Sequence, residues 1–180
     1  MEISLEAQRI ENHVLRSNCG LMDQISVTHS KEGLATLLDF SKMSIESFRM
    51  PDDWRFKLVD TGIRRSLSET NYSSSEIKIE TRRIHAKEES ARVRTALTSD
   101  ARVLGTILNE SHASISDNIR ASTPEIDNMV KEIQSTAGVL GARLMGGGFG
   151  GMILAIVEEE DTLPGELLVS SPPAFLQETL

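Results

Sequence analysis

Cysteine is nearly absent: Cys19 is the only one in 180 residues, which excludes an internal disulfide and a cysteine-rich zinc site. Beside Gly20, it reads as a small buried residue and not as a nucleophile. Aromatic residues are also scarce, with one tryptophan, one tyrosine and five phenylalanines. No apolar run reaches the roughly 18 residues that a membrane helix needs, and neither an apolar leader nor a basic presequence opens the chain. Basic charge is in the minority. Lys and Arg number 19 against 27 Asp and Glu, for a net charge of −8. That balance argues against nucleic-acid or anionic-membrane partners, although a local field at a site still allows a bound nucleotide. A cytoplasmic chain is the simplest expectation, and on it the sequons Asn71-Tyr72-Ser73 and Asn109-Glu110-Ser111 are chance matches. The four histidines show no metal-ligand spacing, and no nucleophile–histidine–acid constellation stands out.

What is present is ordinary core material, with 39% hydrophobic and 26% charged residues, enough for a domain that buries about 70% of its unfolded surface. The spacing of Ile3, Ala7, Ile10 and Val14 predicts a helix over residues 3–16, and a second runs over 21–29. Residues 34–38 and 55–59 read as strands, the latter after a turn at Pro51-Asp52-Asp53. Residues 68–97 are densely charged and mostly helix-forming, a solvated face. Asp100 caps a helix carrying Val103, Leu104, Ile107 and Leu108. Ser122 or Thr123 before Pro124 starts another, closed by Gly138. Two strands then flank a glycine-rich stretch. The order of helices, strands, helices and strands predicts an α+β fold with helices packed on a small antiparallel sheet. Pro164, Pro172 and Pro173 make the last fifteen residues irregular.

The glycine-rich stretch is Gly146, Gly147, Gly148, Gly150 and Gly151, interrupted only by Phe149 and followed by the apolar run from Met152 to Val157. Wedged between apolar segments, it suits close backbone approach to a neighbour or ligand. It does not end in Lys-Ser or Lys-Thr and precedes a strand, so it is not a P-loop. The whole segment 138–157 resembles the third signature motif of the GHMP sugar kinases, most closely that of galactokinases. Glu11-Asn12 with Asn18-Cys19-Gly20-Leu21-Met22-Asp23-Gln24 resembles the stretch bearing that family's catalytic aspartate. Arg64-Arg65-Ser66-Leu67 leading to Tyr72 resembles its sugar-contacting stretch, and residues 109–114 resemble a segment upstream of the glycine loop. There are departures. Met145 stands where many relatives have threonine, and Arg16 where many have glycine.

The resemblance implies a GHMP-kinase-like carboxy-terminal half with a ferredoxin-like arrangement after about residue 55. It also implies phosphoryl transfer from ATP to a sugar, galactose to galactose 1-phosphate. In that pattern Asp23 is the general base, since a carboxylate in reach of the anomeric hydroxyl can accept its proton; the alternative is a helix-capping aspartate. Glu11 stands at the spacing of a Mg2+-binding glutamate, and one carboxylate suffices where phosphates and water complete the shell; the alternative is a solvent-facing helix carboxylate. Tyr72 contacts the sugar, its hydroxyl reading a sugar hydroxyl and its ring packing on the pyranose, or else it packs in a core. Gly20 lines the substrate. Gly146, Gly147 and Gly148 lie near nucleotide or sugar, while Gly150 and Gly151 serve packing. Arg64 and Arg65 could balance charge near Asp23 without an assigned role.

The family's amino-terminal sugar motif and glycine/serine-rich phosphate loop have no match in these residues, and the stretch between Tyr72 and His85 is shorter than the family's. Glu166-Leu167-Leu168-Val169 is the candidate for the family's closing strand. The expected organisation is therefore 1–50 as a remnant of the amino-terminal kinase domain carrying the catalytic aspartate, 51–160 as the GHMP carboxy-terminal domain, and 161–180 as an irregular tail. The partners implied are a small-molecule sugar, ATP and an amino-terminal half supplied in trans, with no nucleic acid and no membrane. The isolated chain is expected to be inactive. The rival reading is a non-catalytic truncated paralogue or split-gene half that binds sugar or protein.

Overall fold

The fold is described from a computed structural model, for residues 1–16, 19–64, 79–171 and 173–174. Two compact units emerge, Met1–Met50 with Val169–Leu180, and Pro51–Leu168. The expected positions of Arg65 and Tyr72 lie outside the described residues.

In the first unit, α1 (Glu2–Val14) and α2 (Met22–His29) precede a hairpin of β1 (Leu34–Asp39) and β2 (Ser44–Arg49), paired antiparallel from Leu34↔Arg49 to Asp39↔Ser44. The hairpin turn is built by Asp39. Its Oδ1 accepts from the Ser41 amide at 2.9 Å and the Ser41 hydroxyl at 2.5 Å, and Met43 takes φ 51°. Strand β2 is an addition to the elements expected from the sequence. Helix α1 packs through its polar side: Ser4 is fully buried with its Oγ 2.7 Å from Thr28 Oγ1, whereas Ile3, Ile10 and Val14 are exposed. Among the described residues, Ile25 is the one buried hydrophobic side chain of this unit. Past Val169, the Ser170 hydroxyl accepts from the Gly33 amide at 2.6 Å, and the Ala174 amide donates to the Val27 carbonyl at 2.9 Å.

The second unit holds β3 (Arg55–Asp60), α3 (Ile79–Ala96), α4 (Ala101–Ser114), a π-helical turn over Ile115–Ile119, α5 (Pro124–Gln134), β4 (Val139–Leu144), β5 (Met152–Val157) and a short turn of 3-10 helix at Glu160–Thr162. The sheet order is β3-β5-β4, antiparallel throughout. Alternation along β5 separates two cores: Ile153 and Ala155 pack with Ile126 and Val130 of α5, while Ile156 packs with Leu104 and Leu108 of α4 and with Trp54 and Phe56. Burying each Ile, Leu or Val side chain contributes about 1.5–3 kcal/mol. Asp100 caps α4 by accepting from the Val103 amide at 2.8 Å, and Thr123 caps α5 ahead of Pro124. Helix α5 stops at Gln134, however, and Gly138 (φ 84°) serves the turn into β4 instead of closing the helix.

Both sheet edges are covered. Along β4 the Ala142 amide donates to Asn109 Oδ1 at 2.9 Å and the Leu144 amide to His112 Nδ1 at 3.4 Å, so two side chains of α4 satisfy the unpaired edge. The helix comes that close because positions 105 and 141 are glycines; a Cβ at either would overlap backbone of the other element. Along β3, residues 165–168 form no strand, but the Leu168 amide donates to the Phe56 carbonyl at 2.9 Å, and the buried Lys57 ammonium donates to the Gly165 carbonyl. An uncovered edge would present a row of unpaired groups.

Candidate functional site

Of the two carboxylates expected from the sequence, Glu11 on α1 contacts Cys19 and Gln24, whereas Asp23 lies on α2. Asn12 clasps Cys19, its Oδ1 accepting from the Cys19 amide at 2.8 Å, and Gln8 Nε2 donates to the Cys19 carbonyl at 3.2 Å. Glu11 lies one residue earlier on the same face. Its Oε1 accepts from Gln24 Nε2 at 2.8 Å and its Oε2 from the Cys19 thiol at 3.3 Å. Cys19 is therefore half-buried and hydrogen-bonded to a carboxylate, not sealed in a core. Gln24, not singled out from the sequence, orients Glu11, and its own buried Oε1 has no hydrogen-bond partner among the described residues. The adjacent carboxylate fixes the amide orientation, since only its N–H end can face Glu11.

Asp23 is the second residue of α2 and exposed, and its side chain has no hydrogen-bond partner among the described residues. It is not the cap: that position is Leu21, which makes no side-chain capping bond. A first-turn carboxylate is favoured by the helix dipole. Gly20 is exposed, and a Cβ there would meet nothing within 4 Å. Arg16 adopts φ 55° immediately after the α1 C-cap, a left-handed position where glycine is the natural residue.

The glycine loop belongs to the second unit and is clamped on two sides. Phe149 (φ 61°) donates its amide to the Ala121 carbonyl at 2.8 Å, and Gly151 donates to the Ile63 carbonyl at 3.1 Å. Thr61 returns both its amide (2.9 Å) and its hydroxyl (2.8 Å) to the Gly151 carbonyl. A Cβ at Gly148 would overlap the Ala121 carbonyl oxygen, and one at Gly150 would stand 2.6 Å from the Ile63 carbonyl oxygen. A Cβ at Gly146 or Gly151 would meet nothing within 4 Å. Gly148 thus packs closely, and Gly151, expected to pack, faces open space.

Behind the loop, His112 sits between the Leu144 amide and Asp127, whose Oδ1 is 3.3 Å from Nε2 without hydrogen-bond alignment. The Ser116 hydroxyl donates to Asp127 Oδ2 at 2.7 Å. Burial holds the His112 pKa below its usual value despite the attraction of Asp127. Beside it, Arg143 donates to the Ser111 hydroxyl at 2.7 Å and pairs with Glu89 at 3.4 Å, and the Ser111 hydroxyl donates to Glu89 at 2.7 Å. Burial works against the Glu89 charge, but the Ser111 and Arg92 hydrogen bonds outweigh it and leave its pKa lowered. Arg64 forks onto Asp60 at 2.7 and 2.5 Å, and that hydrogen bonding lowers the Asp60 pKa to about 2.

For Mg2+, Glu11 offers a half-buried, oriented carboxylate with lone pairs remaining, which fits an ion that takes one or two protein carboxylates. Among the described residues no group of three or more His, Cys, Asp or Glu converges on a metal position. Two open clefts lie in the second unit, and among the described residues no expected site residue lines either one. No described helix is long and apolar enough to cross a membrane.

Residues 93–164 match the family described as GHMP kinases C terminal. The structure is similar to that of Lactococcus lactis galactokinase complexed with galactose, at 25% identity and a TM-score of 0.63, covering 84% of this chain and 50% of that one. It is also similar to L. major mevalonate kinase in complex with R-mevalonate, at 17% identity and a TM-score of 0.57, covering 89% of this chain and 56% of that one. The chain therefore spans about half the length of these solved structures.

Proposed function

Because the chain carries a GHMP kinase carboxy-terminal domain, we propose that it contributes to ATP-dependent phosphorylation of a sugar, galactose at its anomeric hydroxyl. The observation that carries this reading is the likeness to the galactose-bound Lactococcus lactis galactokinase over 84% of the chain. The mevalonate kinase likeness, at 17% identity, speaks for the fold alone.

When bound, ATP with Mg2+ supplies the phosphoryl group and offsets the charge that builds on it. Asp23 accepts the proton of the sugar hydroxyl as its oxygen bonds to the γ-phosphorus and the bond to the ADP oxygen breaks. Its exposure and lack of a hydrogen-bond partner among the described residues keep the carboxylate available for that proton. Glu11, whose Oε1 accepts from the Gln24 amide, would hold Mg2+ through its carboxylate. Gly20 and Tyr72 contact the sugar, and Gly146, Gly147 and Gly148 lie against nucleotide or sugar. Residues 1–50 act as part of an amino-terminal kinase domain, 51–160 as the carboxy-terminal domain and 161–180 as a tail. A cytoplasmic setting goes with ATP as the donor.

The 180 residues on their own are expected to be inactive, because the glycine/serine-rich phosphate loop has no match among them. Loss of even one preorganised donor costs about 10²–10³ in rate. The test mixes the chain with the amino-terminal half of Lactococcus lactis galactokinase and offers ATP-Mg2+ with galactose, N-acetylgalactosamine, galacturonate, arabinose or mevalonate. Phosphate on the anomeric oxygen of galactose, read by 31P NMR, is the expected result. Product from mevalonate alone would overturn the sugar assignment. Failure to phosphorylate any of them within a demonstrated complex would favour the non-catalytic binding half.

A further inference from the structure

Two buried polar atoms of the second unit face each other without a bond. His112 Nε2 and Asp127 Oδ1 lie 3.3 Å apart, and neither has a hydrogen-bond partner among the described residues. Buried polar groups are nearly always paired, so an unpaired couple at this distance has a cause. The cause lies on the other side of the ring. Nδ1 accepts from the Leu144 amide, so that nitrogen keeps its lone pair and the hydrogen of the neutral ring is fixed on Nε2. Asp127 is fixed as well. The π-helical turn after α4 brings the Ser116 hydroxyl onto its Oδ2 at 2.7 Å, which leaves Oδ1 beside His112.

A proton would change the partners. The ring can take it only on Nδ1, the nitrogen that holds Leu144, and two N–H groups cannot share one hydrogen bond. Proton uptake thus breaks the Leu144 bond and frees the imidazolium to turn onto the orphaned Asp127 oxygen, a charge-assisted bond. The bond given up is the longer of the two along the β4 edge, 3.4 Å against 2.9 Å for the Ala142 amide on Asn109, and Asn109 does not titrate. Leu144 ends β4 two residues ahead of Gly146, so what is released is the neck of the glycine loop. Burial resists the charge on His112, as does Arg143 on β4, while Asp127 on α5 and Asp117 on the π-helical turn favour it. From α3, Glu89 and His85 meet the neighbouring Ser111 and Ser114, and Arg92 pairs with Glu110. Strand β5 brings no charged side chain to α4. The balance keeps His112 neutral at neutral pH and lets it charge only below the ordinary histidine range.

We propose that His112 and Asp127 form a proton-operated latch on the glycine loop: neutral His112 holds the Leu144 amide and keeps the neck of the loop against α4, and protonated His112 passes to Asp127 and lets the neck go. The latch stands apart from the kinase reading and is tested on the chain alone. Hydrogen exchange of the Leu144 and Ala142 amides is followed by NMR from about pH 7.5 to about pH 5, with the His112 ring nitrogens observed by 15N shift. The two amides share one intrinsic pH dependence, so the ratio of their rates isolates the latch. At the upper pH the ring hydrogen is expected on Nε2. On acidification Leu144 should exchange faster relative to Ala142, by on the order of tenfold, in step with the His112 titration. His112→Asn, whose amide oxygen can stand where Nδ1 stands and does not titrate, should hold the ratio constant. Asp127→Asn, which keeps the shape and removes the charge, should move the opening to lower pH. A ring hydrogen on Nδ1 at the upper pH, or a ratio that stays constant in the parent chain, would overturn the proposal. So would release of Leu144 and Ala142 together with a change in Trp54 fluorescence, which marks unfolding of the whole unit.

Discussion

Two glycines of the loop separate strain from packing. Gly146 has φ 67°, and a Cβ there would have nothing within 4 Å, so Gly146→Ala meets only the left-handed backbone cost of about 1–2 kcal/mol, partly offset by a stiffer unfolded chain. Gly148, at φ 88°, adds a collision, because its Cβ would overlap the Ala121 carbonyl oxygen. That oxygen is backbone and cannot rotate away. The loop must shift, which costs about 1–3 kcal/mol for the overpacking. The same carbonyl accepts the Phe149 amide at 2.8 Å, and losing that bond costs about 1–3 kcal/mol more where the donor is left buried. The backbone, overpacking and hydrogen-bond costs are not fully additive, because one shift of the loop relieves the collision and breaks the bond together, so Gly148→Ala should destabilise by about 3–5 kcal/mol and Gly146→Ala by about 1 kcal/mol. Trp54, the sole tryptophan, sits in the same unit, edge-on to Phe56 at 6.0 Å, so its fluorescence reports that unit. At a urea slope of about 2 kcal/mol per molar, the two midpoints should differ by about 1–2 M. Coincident midpoints would refute the close packing of Gly148. In an active mixture Gly146→Ala should lose more activity than its small stability change explains, if its open side faces nucleotide or sugar.

Other outcomes follow from the same contacts. Arg16→Gly should stabilise the first unit by up to about 1 kcal/mol, because it removes a non-glycine residue from the left-handed position after α1, and thermal melting checks it. Asn109→Ala should cost about 1–3 kcal/mol by orphaning the Ala142 edge amide, whereas Asn109→Asp, which keeps an acceptor, should cost less; urea melts compare them. Burial lowers the pKa of both His85 and His112. The unfolded chain therefore takes up protons that the folded chain refuses, so stability is full above about pH 6.5 and falls as the pH drops below it, by at most about 1.4 kcal/mol per pH unit for each histidine. Melts at pH 7.5 and pH 5.5 should show that loss, reduced in His112→Gln.

Much of the second unit is legible in the sequence because its signals are local. Asp100 and Thr123-Pro124 announce helix starts through side-chain oxygens and a fixed φ, and the apolar runs around the glycines announce β4 and β5. Strand β2 escapes a sequence reading because its large apolar residues, Ile45 and Phe48, are three apart and not two, and because its turn relies on Asp39 and a left-handed Met43 instead of Asn-Gly or Asp-Gly. The period along α1 marks a helix correctly, but period alone does not say which face is buried. That depends on Thr28, Cys19 and Gln24, which come from elsewhere in the chain. Glu11 and Asp23 stand out in the sequence only through the family resemblance, not through any periodicity of their own. Gln24 is hidden, since an amide that orients a carboxylate thirteen residues away leaves no periodic trace.

The central claim is most directly tested by coupled ADP release with galactose and ATP-Mg2+, from the chain alone, the galactokinase amino-terminal half alone and their mixture, each with parent chain or Asp23→Asn. Activity in the parent mixture only, reduced about 10²–10⁴-fold by Asp23→Asn, is predicted for a general base. Equal turnover with Asp23→Asn, or none in a mixture shown to contain the complex, would contradict it.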